Sequence, residues 1–167
     1  MPTINLSTHI KAPQQRVFDL SRSITLHTVS MQHTSERAVA GKTSGLIELN
    51  ETVTWEAKHL FKKQYLKTVI TAMSPYTMFI DEMVEGDFKK MKHGHFFSSI
   101  EEGTIMKDVF YFESPFGLLG KLINELFLFR YMKNLLEERN AVIKDMQKVI
   151  NGSRSYCRKM CISEKLL

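Results

Sequence analysis

The order of apolar and polar positions divides the chain into one strand, two short helical stretches, a long run of strands and one long helix. Thr3 to Lys11 alternates, with Ile4, Leu6, Thr8 and Ile10 on one face and Asn5, Ser7, His9 and Lys11 on the other. That period of two predicts a half-buried strand. Pro13 suits the first turn of a helix running to Leu20, which would bury Val17, Phe18 and Leu20. Residues 21–33 read as a second short helix or loop, Ser35–Ala40 as a weak strand, and Gly41–Gly45 as a flexible loop.

Strands follow in succession. They are Glu51–His59, Lys63–Met73, Met78–Glu85, Phe88–Ile100 and Thr104–Glu113. Ser74-Pro75-Tyr76 punctuates the first part of this run, and Gly86-Asp87 and Glu101-Glu102-Gly103 read as hairpin loops. From Leu118 to about Ile150 there is no Pro or Gly apart from Gly120 near its start. Leu128, Met132, Leu135, Val142, Met146 and Val149 recur at helical spacing there, and Asn151-Gly152 is a fitting stop. Strands joined in hairpins give an antiparallel sheet, and the long helix must cover its apolar face. The expected class is α+β, with a curved sheet of about six to seven strands wrapped on one C-terminal helix. A bent sheet on a single helix leaves a space where a hydrophobic molecule would sit.

Hairpin register predicts which polar residues share that space. A two-residue Gly86-Asp87 loop sets Glu82 opposite Met91, Ile80 opposite His93 and Met78 opposite His95. A second hairpin pairing Ser99 with Thr104 sets His95 opposite Asp108. One mostly apolar face then carries Met91, Phe97, Met106, Phe110 and Phe112 together with Glu82, His93, His95 and Asp108. The opposite face carries Lys90, Lys92, Ser98, Lys107 and Glu113, which suits solvent. Buried carboxylates and imidazoles require partners. Three roles fit the four inward polar residues: a satisfied structural pair, a clamp on a ligand's polar group, or a His95–Asp108 acid–base pair. Trp55, on the inward phase of its strand with His59, adds wall.

Four stretches carry a family resemblance. They are Glu51–His59 (ETVTWEAKH), Phe79–Phe88 (FIDEMVEGDF), Met91–Phe97 (MKHGHFF) and Met106–Gly117 (MKDVFYFESPFG), the last leading into Arg130-Tyr131-Met132 and Leu135–Asn140 (LLEERN). Together with the order of elements they resemble the SRPBCC or START-like superfamily, and within it bacterial ligand-binding proteins of polyketide-cyclase-like or cell-division-inhibitor-like type. The resemblance covers about residues 3–148. It implies the helix-grip fold and the binding or carriage of a small hydrophobic or amphipathic molecule, without catalysis. Cyclase or aromatase chemistry is the alternative it allows, and a protein or membrane interaction module is another. The expected ligand contacts are Trp55, Glu82, Met91, His93, His95, Phe97, Asp108, Phe110 and Met132.

Charge and cysteine content refine the picture. The chain of 167 residues has 23 Lys+Arg against 18 Asp+Glu, a net +5. Residues 151–167 hold +3 of that, through Arg154, Arg158, Lys159 and Lys165 against Glu164. The excess is therefore mostly a tail beyond a near-neutral domain of residues 1–150, and it does not read as a nucleic-acid signature. Lys62-Lys63 and Lys89-Lys90 with Lys92 read as a solvated face. Leu118–Phe129 is apolar nearly all round, which suits a cavity lid, a homodimer contact or a weak membrane-surface contact, a role also open to the basic tail. Monomer and homodimer are both open.

Cys157 and Cys161 are too few for a structural zinc site. No cofactor is expected, and no metal at His93 and His95 although they share a face. The first residues show no basic stretch followed by an apolar run, so the expected compartment is the cytoplasm. No Gly-x-Ser-x-Gly, P-loop or Gly-x-Gly-x-x-Gly motif occurs.

Overall fold

A computed structural model describes residues 2–59, 62–113 and 121–152. In chain order the elements are β1 (Thr3–Ile10), α1 (Gln14–Ser21), α2 (Ile24–Ser30), a short 3-10 turn (Gln32–Thr34), β2 (Arg37–Gly41), β3 (Thr52–His59), β4 (Lys62–Ser74), β5 (Met78–Glu85), β6 (Lys90–Ile100), β7 (Gly103–Glu113) and α3 (Lys121–Gly152). The seven strands form one antiparallel sheet in the order β1-β7-β6-β5-β4-β3-β2. This is the helix-grip fold that the sequence predicts. Residues 153–167, including Cys157 and Cys161, lie outside the described residues, as do residues 114–120 of the apolar stretch before α3.

Local chemistry accounts for the element ends. Pro13 sits just before α1 and not inside its first turn, and it offers no side-chain cap. Gln14 fixes α1 on the sheet instead, its Nε2 donating to the carbonyls of Tyr76 and Phe97 at 2.9 Å each. Ser23 caps α2 by accepting from the Leu26 amide at 3.2 Å. The register slips between Lys67 and Thr68 and between Ile70 and Ala72, where β4 pairs with β5, and between Ala38 and Ala40 in β2. Such bulges bend a sheet.

The interior divides into two clusters. Phe18 centres the first, in edge-to-face contact with Phe97 at 5.4 Å and Phe79 at 5.7 Å, and Val17, Trp55, Met106 and Ile143 belong to the same cluster. The second joins Ile4, Met91, Phe110 and Phe112 to Leu136 of α3. On the outer face, Glu56 is held by Arg37, Lys63 and Tyr65. The Lys63 hydrogen bond leads in depressing the Glu56 pKa, to about 2.

The β6–β7 hairpin has the expected register, with Ser99 opposite Thr104 and His95 opposite Asp108. The β5–β6 connection differs from the expected two-residue loop. Residues 86–89 form a longer bend, and Phe88 folds inward against Phe112 at 5.7 Å. The pairing shifts by one residue, giving Phe79 opposite His95, Asp81 opposite His93 and Glu82 opposite Lys92. A one-residue slip exchanges the two faces of a strand. Phe79 and Asp81 therefore face inward, where Ile80 and Glu82 were expected.

Gly103 opens β7 with φ +131°, and a Cβ there would lie 2.3 Å from the Ile10 carbonyl oxygen. Gly45 has φ +74° but open space around it. Gly103→Ala is expected to cost about 3 kcal/mol or more, because strain of about 1–3 kcal/mol adds to a backbone clash. Gly45→Ala should cost about 1 kcal/mol. Urea denaturation of both variants checks the ranking, and equal costs would contradict it.

Candidate functional site

The inward polar residues come from three strands and one helix face. In β6, His93 and His95 alternate onto one face. In β5, Asp81 sits across from His93, and in β7, Asp108 sits across from His95. From α3 come Arg139 and Asn140, which fall on the buried helical stripe of Leu135, Leu136 and Ile143.

Asp108 joins these elements. Its side chain is 0% exposed. His93 Nε2 lies 2.9 Å from Oδ1, and Asn140 Nδ2 donates to Oδ2 at 2.7 Å. His95 Nδ1 is 3.0 Å from Oδ1 yet makes no hydrogen bond there. Arg139 Nη1 stands 3.6 Å from the same oxygen, while Nη2 donates to the carbonyl of Ser21, the last residue of α1, at 2.9 Å. His95 Nε2 lies 3.1 Å from Asp81 Oδ2. The His93 and His95 rings sit 3.8 Å apart, and Phe79 stacks on His95 at 4.1 Å.

Ionisation follows from these neighbours. Burial pushes the His93 pKa down to about 4, with help from the adjacent His95, and the pull of Asp108 and Asp81 does not offset it. His93 is thus neutral at pH 7. Burial alone would raise Asp108, but the two histidines hold its carboxyl well below the usual range. Asp81 is also lowered, burial again opposing and His95 leading the downward pull.

Next to this cluster lies a cavity of about 630 Å³ between the sheet and α3. Its apolar walls include Trp55, Ile70, Phe79, Met91, Leu135 and Leu136. Asp81, His93, His95 and Arg139 form a polar wall, and Lys62, Tyr65 and Asp87 mark one margin.

Of the residues expected from sequence, Trp55, Met91, His93, His95, Phe110 and Met132 line this cavity. Phe97 does not; it packs against Phe18 and Phe79 in the core. Asp108 stands behind the two histidines, outside the lining. Glu82 lies on the outer face, 2.9 Å from Lys92 and accepting from Thr71 at 3.3 Å. The expected His95–Asp108 hydrogen bond is replaced by His93–Asp108 and His95–Asp81. The side chain of His59 falls outside the described residues.

Sequence reasoning missed Asp81 because of the one-residue slip. It missed Arg139 and Asn140 because charged and amide positions on a helix read as solvent-facing. Their spacing to Leu135, Leu136 and Ile143 was the available signal. Asp81, His93 and His95 each offer a donor atom, all within 4.8 Å of one another, close enough to share one metal ion. At the start of the described side chains of α3, Phe127 is 54% exposed and stacks on Tyr131 at 6.2 Å. Among the described residues no helix is long and apolar enough to cross a membrane.

No family model matches the chain, and no curated protein matches it in sequence. Solved structures match its fold. TTHA0849 from Thermus thermophilus superposes with a TM-score of 0.73 at 19% identity, over 90% of this chain and 100% of that one. Protein Ms6760 from Mycobacterium smegmatis gives 0.65 at 15% identity over 89% and 92%. Ginseng major latex-like protein 151 from Panax ginseng gives 0.62 at 14% identity over 87% and 97%. At these identities the likeness is one of fold, the helix-grip architecture of an antiparallel sheet with a long C-terminal helix.

Asp108→Asn should destabilise by about 3–5 kcal/mol, since it disrupts a buried charge network. Glu82→Gln, on an exposed pair, should cost under about 1 kcal/mol. Chemical denaturation of the two variants measures the difference. Comparable losses would mean that Asp108 does not anchor the site.

Proposed function

We propose that the protein binds and carries a small hydrophobic or amphipathic molecule in the cavity between the sheet and α3, without transforming it. The observation that carries this reading is the cavity itself, about 630 Å³ with apolar walls and one polar side. Pockets that accept drug-sized molecules span about 300–1,000 Å³, and a few convergent polar groups in them fix orientation. Trp55, Met91, Phe110 and Met132 supply the greasy wall. The ligand's polar group meets Asp81 and His93, while Asp108 holds the histidines from behind. Glu82 and Phe97 have no part in this contact.

A second reading has one specific observation in its favour. His95 lies within 3.1 Å of Asp81 and 3.0 Å of Asp108, a setting suited to moving a proton to or from a bound polyketide-like substrate. The carrier reading is preferred because Nε2 of His93 and Nε2 of His95 are each taken by a carboxylate and the rest of the cavity wall is mostly apolar. A membrane-surface contact would involve Phe127 and the neighbouring start of α3, and a cytoplasmic location remains the expectation for this function.

Native mass spectrometry of the purified protein, followed by solvent extraction, tests the proposal. A small organic molecule recovered unchanged at about one per chain is expected. Ala57 lines the cavity, so Ala57→Phe should fill it and lower the recovered amount at least about tenfold while the chain stays folded. Equal recovery from the folded variant would place the molecule elsewhere. Recovery of a converted product would instead establish the enzymatic reading.

A further inference from the structure

We propose that Asp81, His93 and His95 bind one divalent first-row transition cation on the polar wall of the cavity. The proposal rests on this side-chain cluster and not on the identity of any cargo.

The backbone arranges the set. His93 and His95 are two residues apart on β6, so both project to one face. Asp81 is the β5 partner of His93, which brings a carboxylate beside the two imidazoles. The three donor atoms lie within 4.8 Å of one another. A tetrahedral ion with bonds of about 2.0–2.2 Å holds its donors about 3.4 Å apart. His95 Nε2 and Asp81 Oδ2 are already 3.1 Å apart, and the His93 donor, within 4.8 Å of both, has at most about 1.4 Å to close toward that spacing.

The hydrogen bonding of His95 calls for a cation. Its two nitrogens stand close to two different carboxylates, Asp81 at 3.1 Å and Asp108 at 3.0 Å. A neutral imidazole carries a single N–H, so one nitrogen then turns a lone pair toward negative oxygen. Two carboxylates against one guanidinium, that of Arg139, also leave the cluster one positive charge short. A metal ion between His95 Nε2 and Asp81 removes the repulsion and leaves Nδ1–H for Asp108. A proton on His95 would supply the same charge, but it would do nothing for His93. There Nε2 faces Asp108, which leaves Nδ1 as the donor atom for an ion.

An outer shell is already built. Histidine ligands are characteristically oriented by a carboxylate on their second nitrogen. Asp108 fills that place for His93, and Asn140 pins its other oxygen at 2.7 Å. Two imidazoles with one carboxylate suit Zn²⁺, Co²⁺ or Fe²⁺, whereas Ca²⁺ and Mg²⁺ favour sites built from oxygen. Three protein donors leave coordination positions that face the cavity.

The test uses the full chain, stripped with a chelator and titrated with Zn²⁺ by calorimetry and with Co²⁺ by visible absorption. One ion per chain, bound at micromolar affinity or tighter, is expected. Asp81→Asn and His95→Ala should each weaken Zn²⁺ binding by more than about 100-fold, the upper end of losses from outer-shell partners alone. The double variant Cys157→Ser/Cys161→Ser should bind as the parent does. Asp81 is partly exposed, which favours a folded Asp81→Asn variant, and circular dichroism checks this. Absence of uptake by the folded parent would overturn the proposal in favour of a bound proton only. Undiminished uptake by folded Asp81→Asn would overturn it in favour of an ion held elsewhere. Neither result depends on whether an organic molecule is extracted, so this proposal and the carrier reading can fail separately.

Discussion

The buried carboxylate of Asp108 is the constraint on which the site depends. A charge removed from water is tolerated only when it is paired and hydrogen-bonded. Here the partners come from β6 and α3, so satisfying one side chain ties the hairpin to the helix. Asn140 and Arg139 occupy helix positions that would otherwise be apolar. Arg139 also reaches the carbonyl that ends α1. The polar network thus fixes α3 over the sheet while the apolar clusters pack around it.

This arrangement leaves space as well as filling it. The first cluster, around Phe18, closes one part of the interior, and the second, around Phe112, closes another. Trp55, Met91, Leu135 and the histidines line the volume between the sheet and α3. The polar wall gives that volume a direction. A guest would turn its apolar body toward Trp55 and Met132 and its polar group toward Asp81 and His93.

The architecture is readable from the chain because its signals are local and repeated. Alternation marks β1 and β3, and turn residues on either side bound β7. A long stretch free of Pro and Gly marks α3, and Glu101-Glu102 sets the β6–β7 register. That register alone is enough to place His95 opposite Asp108. The β5–β6 connection is not readable in the same way. Gly86-Asp87 has the composition of a tight turn, but Phe88 gains more by packing against Phe112 than by extending β6. One residue of slip then puts Asp81 at the cavity in place of Glu82. Likewise, Phe97 has the inward phase but is taken up by Phe18, a long-range contact that alternation does not encode. Arg139 and Asn140 are hidden by their chemistry, because a buried cation on a helix becomes legible only once its carboxylate partner is located.

The central claim is the proposal that the polar-walled cavity between the sheet and α3 holds a guest, with the Asp108 network standing behind its polar wall. A high-resolution crystal structure of the protein as isolated tests it most directly. The account predicts non-protein density between Trp55 and Met132, with a polar atom or an ion in contact with Asp81 and His93 and with Asp108 bonded to His93 and Asn140. Side chains filling that volume, with Asp108 turned away from His93, would contradict it.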